Sequence, residues 1–436
     1  MSKALRLFLA VVSAGIMAAA YLLPAQTFDL DAASASKFEV SVEPLPLKVS
    51  CPGAWVEVGG ESGTEIGLIE RIEQTSVSLH LGDGEIIRAP EVLVSTVAVA
   101  EIAGANQSTE LLSAAQAQRV DRARAAGLAA SFCSQPATSG WFVNGQSGLG
   151  RETVLILSNP NDVDTQIQLE LHLPGGVTRD RIALAAGAER LLSLATLSNL
   201  ESVYALRFES SGQPVSVALQ NRYSRGLTPL GVSLSTKHSE PATEQWILPV
   251  SQLAEGFEDP ILRVFNPGAE TQVIATVFGT GGVEVIREYV PEASFLELAL
   301  PLAGNSAIQI QSDEPVLAAV LNTSLEELDK SWLLPAESFT ELRIPLSVYD
   351  SKLYLNNPAP TAITVTVMVE DGVNQNYQSF ELDAFSMVDL SVSGDSVRIE
   401  SAGRFQAAVE IIDQGYAVIM PSENRNLGDE LTVSVR

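Results

Sequence analysis

Three stretches of the chain repeat one order of landmarks, and this self-similarity limits the fold more than any other feature. ETVLILSNPNDVDTQIQLELHLPGG carries Asn159-Pro160, PILRVFNPGAETQVIATVFGTGG carries Asn266-Pro267, and SKLYLNNPAPTAITVTVMVEDG carries Asn357-Pro358. Each reads as an alternating apolar strand, an Asn-Pro turn, a second alternating strand rich in Val, Ile and Thr, and a Gly-containing turn. Alternation with period two marks a strand with one buried face. Asn-Pro halts the first strand, because proline lacks the ladder N–H and pushes its predecessor out of the helical region. A second landmark (ESSGQPVSVAL, QSDEPVLAAVL, ESAGRFQAAVE) places Pro214, Pro315 and Phe405 at 54, 48 and 47 residues beyond the Asn-Pro prolines. Its apolar residues predict a strand with Val215, Val316 and Val409 near a core. A third landmark closes each unit: Trp246-Ile247-Leu248-Pro249, Trp332-Leu333-Leu334-Pro335 and Val418-Ile419-Met420-Pro421, with Trp141-Phe142-Val143 opening the first unit in the same role.

A spacing of 86 to 107 residues between landmarks is too long for a solenoid unit or propeller blade. It fits a whole β-sandwich of about 100 residues. The chain is therefore expected to be mainly β, with three tandem Ig-like sandwiches over 139–238, 243–335 and 339–436. The Cys…Trp…Cys pattern of antibody domains is missing from all three, so the likeness rests on strand count. Short connections such as 235–245 leave both a semi-rigid rod and independent beads open.

The first 136 residues differ. Lys3 and Arg6 precede a 17-residue uncharged run, Leu7 to Leu23, and Asp29 and Asp31 follow it. A spanning helix needs about 20 apolar residues, and a signal-peptide core is usually shorter. Residues 1–25 are accordingly read as a signal anchor, with a cleaved signal as the alternative, and 26–42 as a spacer. Bases before the run and acids after it place the bulk of the chain outside the cytoplasm, either on the membrane as a single-pass protein or secreted. Residues 43–136 are expected to form a small mixed α/β or β domain. PLKVSCPGAWVEVGG and TSVSLHLGDGEIIRAP read as strand pairs, and Ser108 to Ala130, rich in Ala, Leu, Gln and Arg, reads as a helix. Cys51 and Cys133, 82 residues apart, are an even pair in an exported chain, so a disulfide is expected, with two buried free thiols as the alternative.

From Ala125 to Pro160 the residues resemble the core signature of an actinobacterial family of exported proteins of unknown function. The features are Cys133 before Gln135-Pro136, Trp141-Phe142-Val143-Asn144-Gly145, the Gly148–Gly150 turn and Asn159-Pro160. The resemblance implies an N-terminally anchored cell-envelope protein and brings no catalytic residue. Six Lys against 20 Arg is a balance that suits a GC-rich genome.

Chemistry is sparse. With 53 acids against 26 bases the chain has a net charge of −27, which argues against nucleic acid and against anionic lipid held by a basic patch. Gly145 to Gly150 has Leu149 where a nucleophile elbow needs glycine, so it reads as a turn between strands. Asp162 and Asp164 in the first Asn-Pro turn could offer calcium ligands, but NPGAET and NPAPTA lack the pair, so a solvated turn is the better reading. Glu326 to Lys330 reads as a solvated loop or single helical turn. Trp141, Trp246 and Trp332 are weighed between stacking on sugar rings and sealing junctions between units, and their apolar neighbours favour junctions. No catalytic, cofactor or metal residue is assigned. The reading that results is a non-catalytic envelope protein with a scaffold, adhesion or assembly role, with envelope proteins or cell-wall glycans as partners. The alternative is an envelope glycan hydrolase using a carboxylate pair, for which abundant Asp and Glu are the sole support.

Overall fold

The computed structural model describes residues 47–422 except 73–74, 82–84, 93–98, 103–111, 237–238, 252–257, 301–303, 347–348 and 350. The anchor and spacer expected over 1–42 lie outside the described residues, as does the end of the third unit from residue 423. Among the described residues every regular element is a strand.

The first eight strands are β1 (Leu47–Ser50), β2 (Val56–Val58), β3 (Ile69–Arg71), β4 (Thr75–Leu81), β5 (Glu85–Val92), β6 (Val99–Ile102), β7 (Leu112–Arg122) and β8 (Ala125–Phe132). They form the sheet β5-β4-β7-β8 and the pairs β1-β6 and β2-β3. The helix expected from Ser108 to Ala130 is replaced from Leu112 onward by the β7–β8 hairpin, and 108–111 lie outside the described residues. The reason is tertiary. Ala115 and Ala117 pack on one face, into the core of the third sandwich. Gln116 and Gln118 alternate with them onto the other face, where they bond the backbone of Gly53, Trp55 and Ile72. Burial on both faces with period two outweighs the helix preference of Ala and Gln, which amounts to tenths of a kcal/mol per residue. Cys51 and Cys133 are joined in a disulfide with Cα atoms 4.3 Å apart. Their neighbours Ser50 and Ser134 exchange backbone hydrogen bonds of 2.9 and 3.1 Å.

The first sandwich comprises β9 (Ser139–Gly145), β10 (Arg151–Ser158), β11 (Thr165–Leu173), β12 (Gly176–Leu184), β13 (Glu189–Ser193), β14 (Tyr204–Ser210), β15 (Ser216–Arg225) and β16 (Thr228–Ser235). Its sheets are β12-β11-β14-β9 and β13-β10-β15-β16. The second comprises β17 (Ala242–Val250), β18 (Ile261–Asn266), β19 (Thr271–Gly279), β20 (Gly282–Val290), β21 (Ser294–Ala299), β22 (Ser306–Ser324) and β23 (Asp329–Leu333). The third comprises β24 (Phe339–Pro345), β25 (Ser351–Asn356), β26 (Ile363–Asp371), β27 (Asn374–Leu382), β28 (Met387–Val392), β29 (Ser396–Ile412) and β30 (Tyr416–Ile419).

All three share one topology. The 19-residue β22 pairs with β17 and β19 through its first half and with β18 and β23 through its second. β29 does the same with β24, β26, β25 and β30. In the first sandwich the corresponding strand is broken into β14 and β15 around Ser211–Pro214. The second sequence landmark is therefore the point where one strand crosses from sheet to sheet; around it Ser312–Pro315 and Ser401–Arg404 are largely solvent-exposed, and beyond it Val215, Val316 and Val409 are buried. A strand this long cannot stay in one twisted sheet without splaying from the core, so it bends. This arrangement departs from the immunoglobulin order, in which the first strand pairs with the second; here the first pairs with the sixth.

The Trp-Pro landmarks are not all equivalent. Trp246 lies in β17, which opens the second sandwich, and Trp332 lies in β23, which closes it. Register aligns Trp141 with Trp246 and, in the third sandwich, with Arg343: they face Arg207, Gln309 and Arg398 across their ladders.

Candidate functional site: a carboxylate-centred ring and a basic cleft

The three Asn-Pro turns are built alike. Asn159, Asn266 and Asn357 are fully buried. Nδ2 of Asn159 donates to the carbonyls of Val163, Leu184 and Ala185 at 2.8, 3.3 and 3.1 Å. Nδ2 of Asn266 donates to Ala269, Val290 and Pro291 at 2.6, 3.1 and 3.1 Å. Nδ2 of Asn357 donates to Thr361, Leu382 and Asp383 at 2.8, 3.1 and 2.9 Å. Each Oδ1 accepts the amide two residues on, from Asn161, Gly268 and Ala359. A buried amide thus satisfies a turn and the end of a neighbouring strand at once. Pro160, Pro267 and Pro358 start the turn by leaving no N–H behind.

The tryptophans are covered by protein. Trp141 packs on Phe265 of the second sandwich, with centroids 6.1 Å apart, and on His172 at 4.9 Å. Trp246 stacks on Phe385 of the third at 6.4 Å. Trp332 donates from Nε1 to the Tyr223 hydroxyl of the first sandwich at 2.6 Å and lies under the Arg263 guanidinium at 4.6 Å. All three rings are spent on junctions between modules and offer no open face to a sugar.

The strongest constellation was invisible in the sequence. Asp329, placed by sequence in a solvated cluster, is fully buried at the start of β23. Its Oδ2 accepts the amides of Leu128 (2.6 Å) and Tyr416 (2.9 Å), and its Oδ1 those of Val232 (2.8 Å) and Lys330 (2.9 Å). These donors lie on β8, β30, β16 and β23, the closing strand of each of the four modules. The donors follow Gly127, Gly231, Gly415 and Asp329 itself, so one aspartate stands where the other modules have glycine. The glycines are required by the close approach: a Cβ on Gly127 would lie 2.4 Å, and one on Gly231 2.8 Å, from Asp329 Oδ1. Burial pushes the Asp329 carboxyl up to about 7, against the pull of the four amides.

Further bonds close the ring of modules. Ser233 Oγ accepts the Trp332 amide, and Ser331 Oγ accepts that of Val418. Thr236 donates to the Phe132 carbonyl, and Gln220 makes a two-way amide clamp on the backbone of Val56. On the last junction, Leu128, Ala130 and Phe132 share the core of the third sandwich.

Between the first and second sandwiches lies a cleft of about 510 Å³. Arg151, Arg225, Arg263 and Lys330 line it, opposed by Glu258 and Glu297. The Gly145–Gly150 turn forms one wall and joins β9 to β10, as expected for a turn between strands. Arg263 is consumed by structure: it pairs with Glu297 at 2.8 Å and donates to the carbonyls of Val143 and Gly145.

A second recess of about 390 Å³ is lined by Ser351, Lys352, Ser391 and Glu410. Burial raises the pKa of Glu410, whose carboxylate accepts from the Tyr354 hydroxyl at 2.8 Å and from Ser251 of the second sandwich at 3.4 Å. Asp389 stands 3.7 Å from Lys352 and does not line the recess. Asp162 is exposed, and Asp164 accepts the Ala186 amide at 2.9 Å.

A model of a family described as a family of unknown function (DUF5719) matches residues 93–393. No curated protein matches. Among solved structures, a tetra-tandem repeat from the extending region of a large adhesion protein is 11% identical, covering 79% of this chain and 89% of its own, with a TM-score of 0.12. An α-L-rhamnosidase of Streptomyces avermitilis, complexed with L-rhamnose, is 8% identical, covering 77% of this chain and 54% of its own, with a TM-score of 0.11. Neither superposition is close enough to carry an argument.

Proposed function

The chain belongs to the DUF5719 family of unknown function, and we propose that it is a non-catalytic cell-envelope protein whose β modules are closed into one rigid platform for assembly. The observation that carries this reading is Asp329. Its carboxyl is the described acid pushed furthest toward neutrality, yet all its acceptor positions are filled by amides from four modules. A general acid or base needs a free path to substrate; this one joins modules instead. The repeated asparagines and the tryptophans are committed to turns and junctions in the same way. The run from Leu7 to Leu23 would hold the platform on the membrane with its bulk outside the cytoplasm, and envelope proteins are the partners such a platform would take.

The experiment is a pull-down from crosslinked envelope, comparing the native chain with Asp329→Ala after high-salt washing of membranes. The expected result is retention of both in the membrane fraction, with the native chain's set of crosslinked proteins lost from the variant. A soluble form beginning after residue 25 would replace the anchor with a cleaved signal. Release of sugar from cell-wall glycans by the purified chain, abolished in Glu410→Gln, would overturn the non-catalytic reading in favour of the hydrolase.

A further inference from the structure

We propose that the cleft between the first and second sandwiches binds an anionic amphiphile, a phosphate-bearing head group on an apolar chain. This inference stands apart from the platform reading and needs neither the anchor nor a protein partner. It starts from charge. In a chain of net charge −27, four bases face two acids in this cleft. Arg263 is fully engaged, as described above. Lys330, with its side chain 15% exposed, donates to Thr323 Oγ1 at 2.7 Å and lies 3.7 Å from a half-exposed Glu258. Arg151 and Arg225 are exposed and have neither an ion pair nor a side-chain hydrogen bond among the described residues. Burial lowers the pKa of Lys330, and the unneutralised Arg151 pushes it the same way. An anion seated here would neutralise Arg151 and offset the cost of burying the Lys330 charge.

The rim supplies the second half of the argument. Leu149, Ile261, Leu325 and Leu328 are large apolar side chains left in water, and all four line this cleft. Leu149 sits between Gly148 and Gly150, at φ of 111° and 73°, and Leu328 itself has a φ of 50°, left-handed for a residue with a branched side chain. Outward apolar side chains, one of them on a left-handed backbone, beside unpaired arginines point to a ligand that is apolar at one end and anionic at the other. The cavity volume lies in the range of small-molecule sites, about 300–1,000 Å³. It suits a head group with the first part of a chain, and not a folded partner.

The test uses the full chain in phosphatidylcholine nanodiscs, with three soluble probes measured by calorimetry: dihexanoyl phosphatidic acid, dihexanoyl phosphatidylcholine and inorganic phosphate. Phosphatidic acid is expected to bind one per chain, at least tenfold more tightly than either other probe. Arg151→Ala with Arg225→Ala should weaken it at least tenfold with an unchanged melting temperature. Leu149→Ser with Leu328→Ser should weaken phosphatidic acid and leave phosphate binding unchanged. Equal binding of phosphatidic acid and phosphatidylcholine would overturn the anionic half. Equal binding of phosphatidic acid and phosphate would overturn the apolar half and leave a simple phosphate site. Unchanged affinity in the double arginine variant would remove the site altogether.

Discussion

The Asn-Pro turns and the Asp329 centre solve the same problem with the same chemistry and at opposite scales. Each buries one polar side chain and satisfies it with four main-chain hydrogen bonds, to which Asn159 adds a fifth from the Asn161 side chain. The asparagines do so locally, within one sandwich, and occur three times. The aspartate does so once and draws on four modules. An amide suits the turn, because it must donate to carbonyls and accept from an N–H. A carboxylate suits the centre, because four N–H groups converge there and none of them can accept. The difference teaches that what each module needs is repeated along the chain, whereas what the assembly needs is supplied by a single residue.

The largest expected effect follows from removing the shared residue. Asp329→Ala leaves four buried amides without an acceptor, and breaking a buried charged network in this way costs about 3–5 kcal/mol. The loss should open the ring before it unfolds the sandwiches. Urea denaturation should change from one transition to two, with proteolysis entering first between modules. A single transition shifted by under 1 kcal/mol would mean that Asp329 is no more a shared residue than the asparagines are.

Acidity tests the same residue with a different sign. Burial pushes the folded carboxyl up to about 7, above its ordinary 3.8, against four amides that favour the ionised form. Between these values the folded chain holds a proton that the unfolded chain has released, so stability falls as the pH rises from about 4 to about 7 and is flat beyond. At 1.36 kcal/mol per unit the full span is about 4 kcal/mol at most. Denaturation midpoints across this range, taken relative to Asp329→Asn, should show the slope. An opposite slope would mean that the four amides outweigh burial and that the carboxylate is the bound form throughout.

The contrast also explains what could be read from the sequence. Strand alternation, the Asn-Pro turns and the strand that follows the second landmark were legible because the chain states them three times. Asp329 was not, because Glu326 to Lys330 looks like any acidic loop until β8, β16 and β30 are brought to it. The β7 strand is hidden in the sequence for a related reason. Ala and Gln favour a helix locally, and the alternation that assigns Ala115 and Ala117 to one core and Gln116 and Gln118 to another backbone is visible only once both neighbours are present. The tryptophans were assigned to junctions from their apolar setting, but their order in the chain concealed that Trp246 opens a sandwich and Trp332 closes the same one.

The asparagines should give an intermediate effect, and an even one. Asn159→Ala, Asn266→Ala and Asn357→Ala each strand three carbonyls and one amide, for about 1–3 kcal/mol apiece. Because the geometry is shared, the three values measured by urea denaturation should agree within about 1 kcal/mol, and the ring should stay closed. A variant among them that separates modules would blur the division between local and shared residues.

The smallest effect is expected at Asp162 and Asp164, the acids that set the first Asn-Pro turn apart from its two sisters. Asp162 is exposed, and Asp164 caps a single amide, that of Ala186. Surface substitutions of this kind usually fall within about 0.5 kcal/mol. Asp162→Ala should therefore leave the melting temperature in place, and Asp164→Ala should lower it slightly through the lost bond to Ala186. If the turn works as its sisters do, through Asn159 alone, millimolar calcium should not change the melting temperature of the native chain. Stabilisation by calcium that disappears in Asp162→Ala would give the first sandwich a metal site the others lack, and equivalence of the three turns would then end at their asparagines.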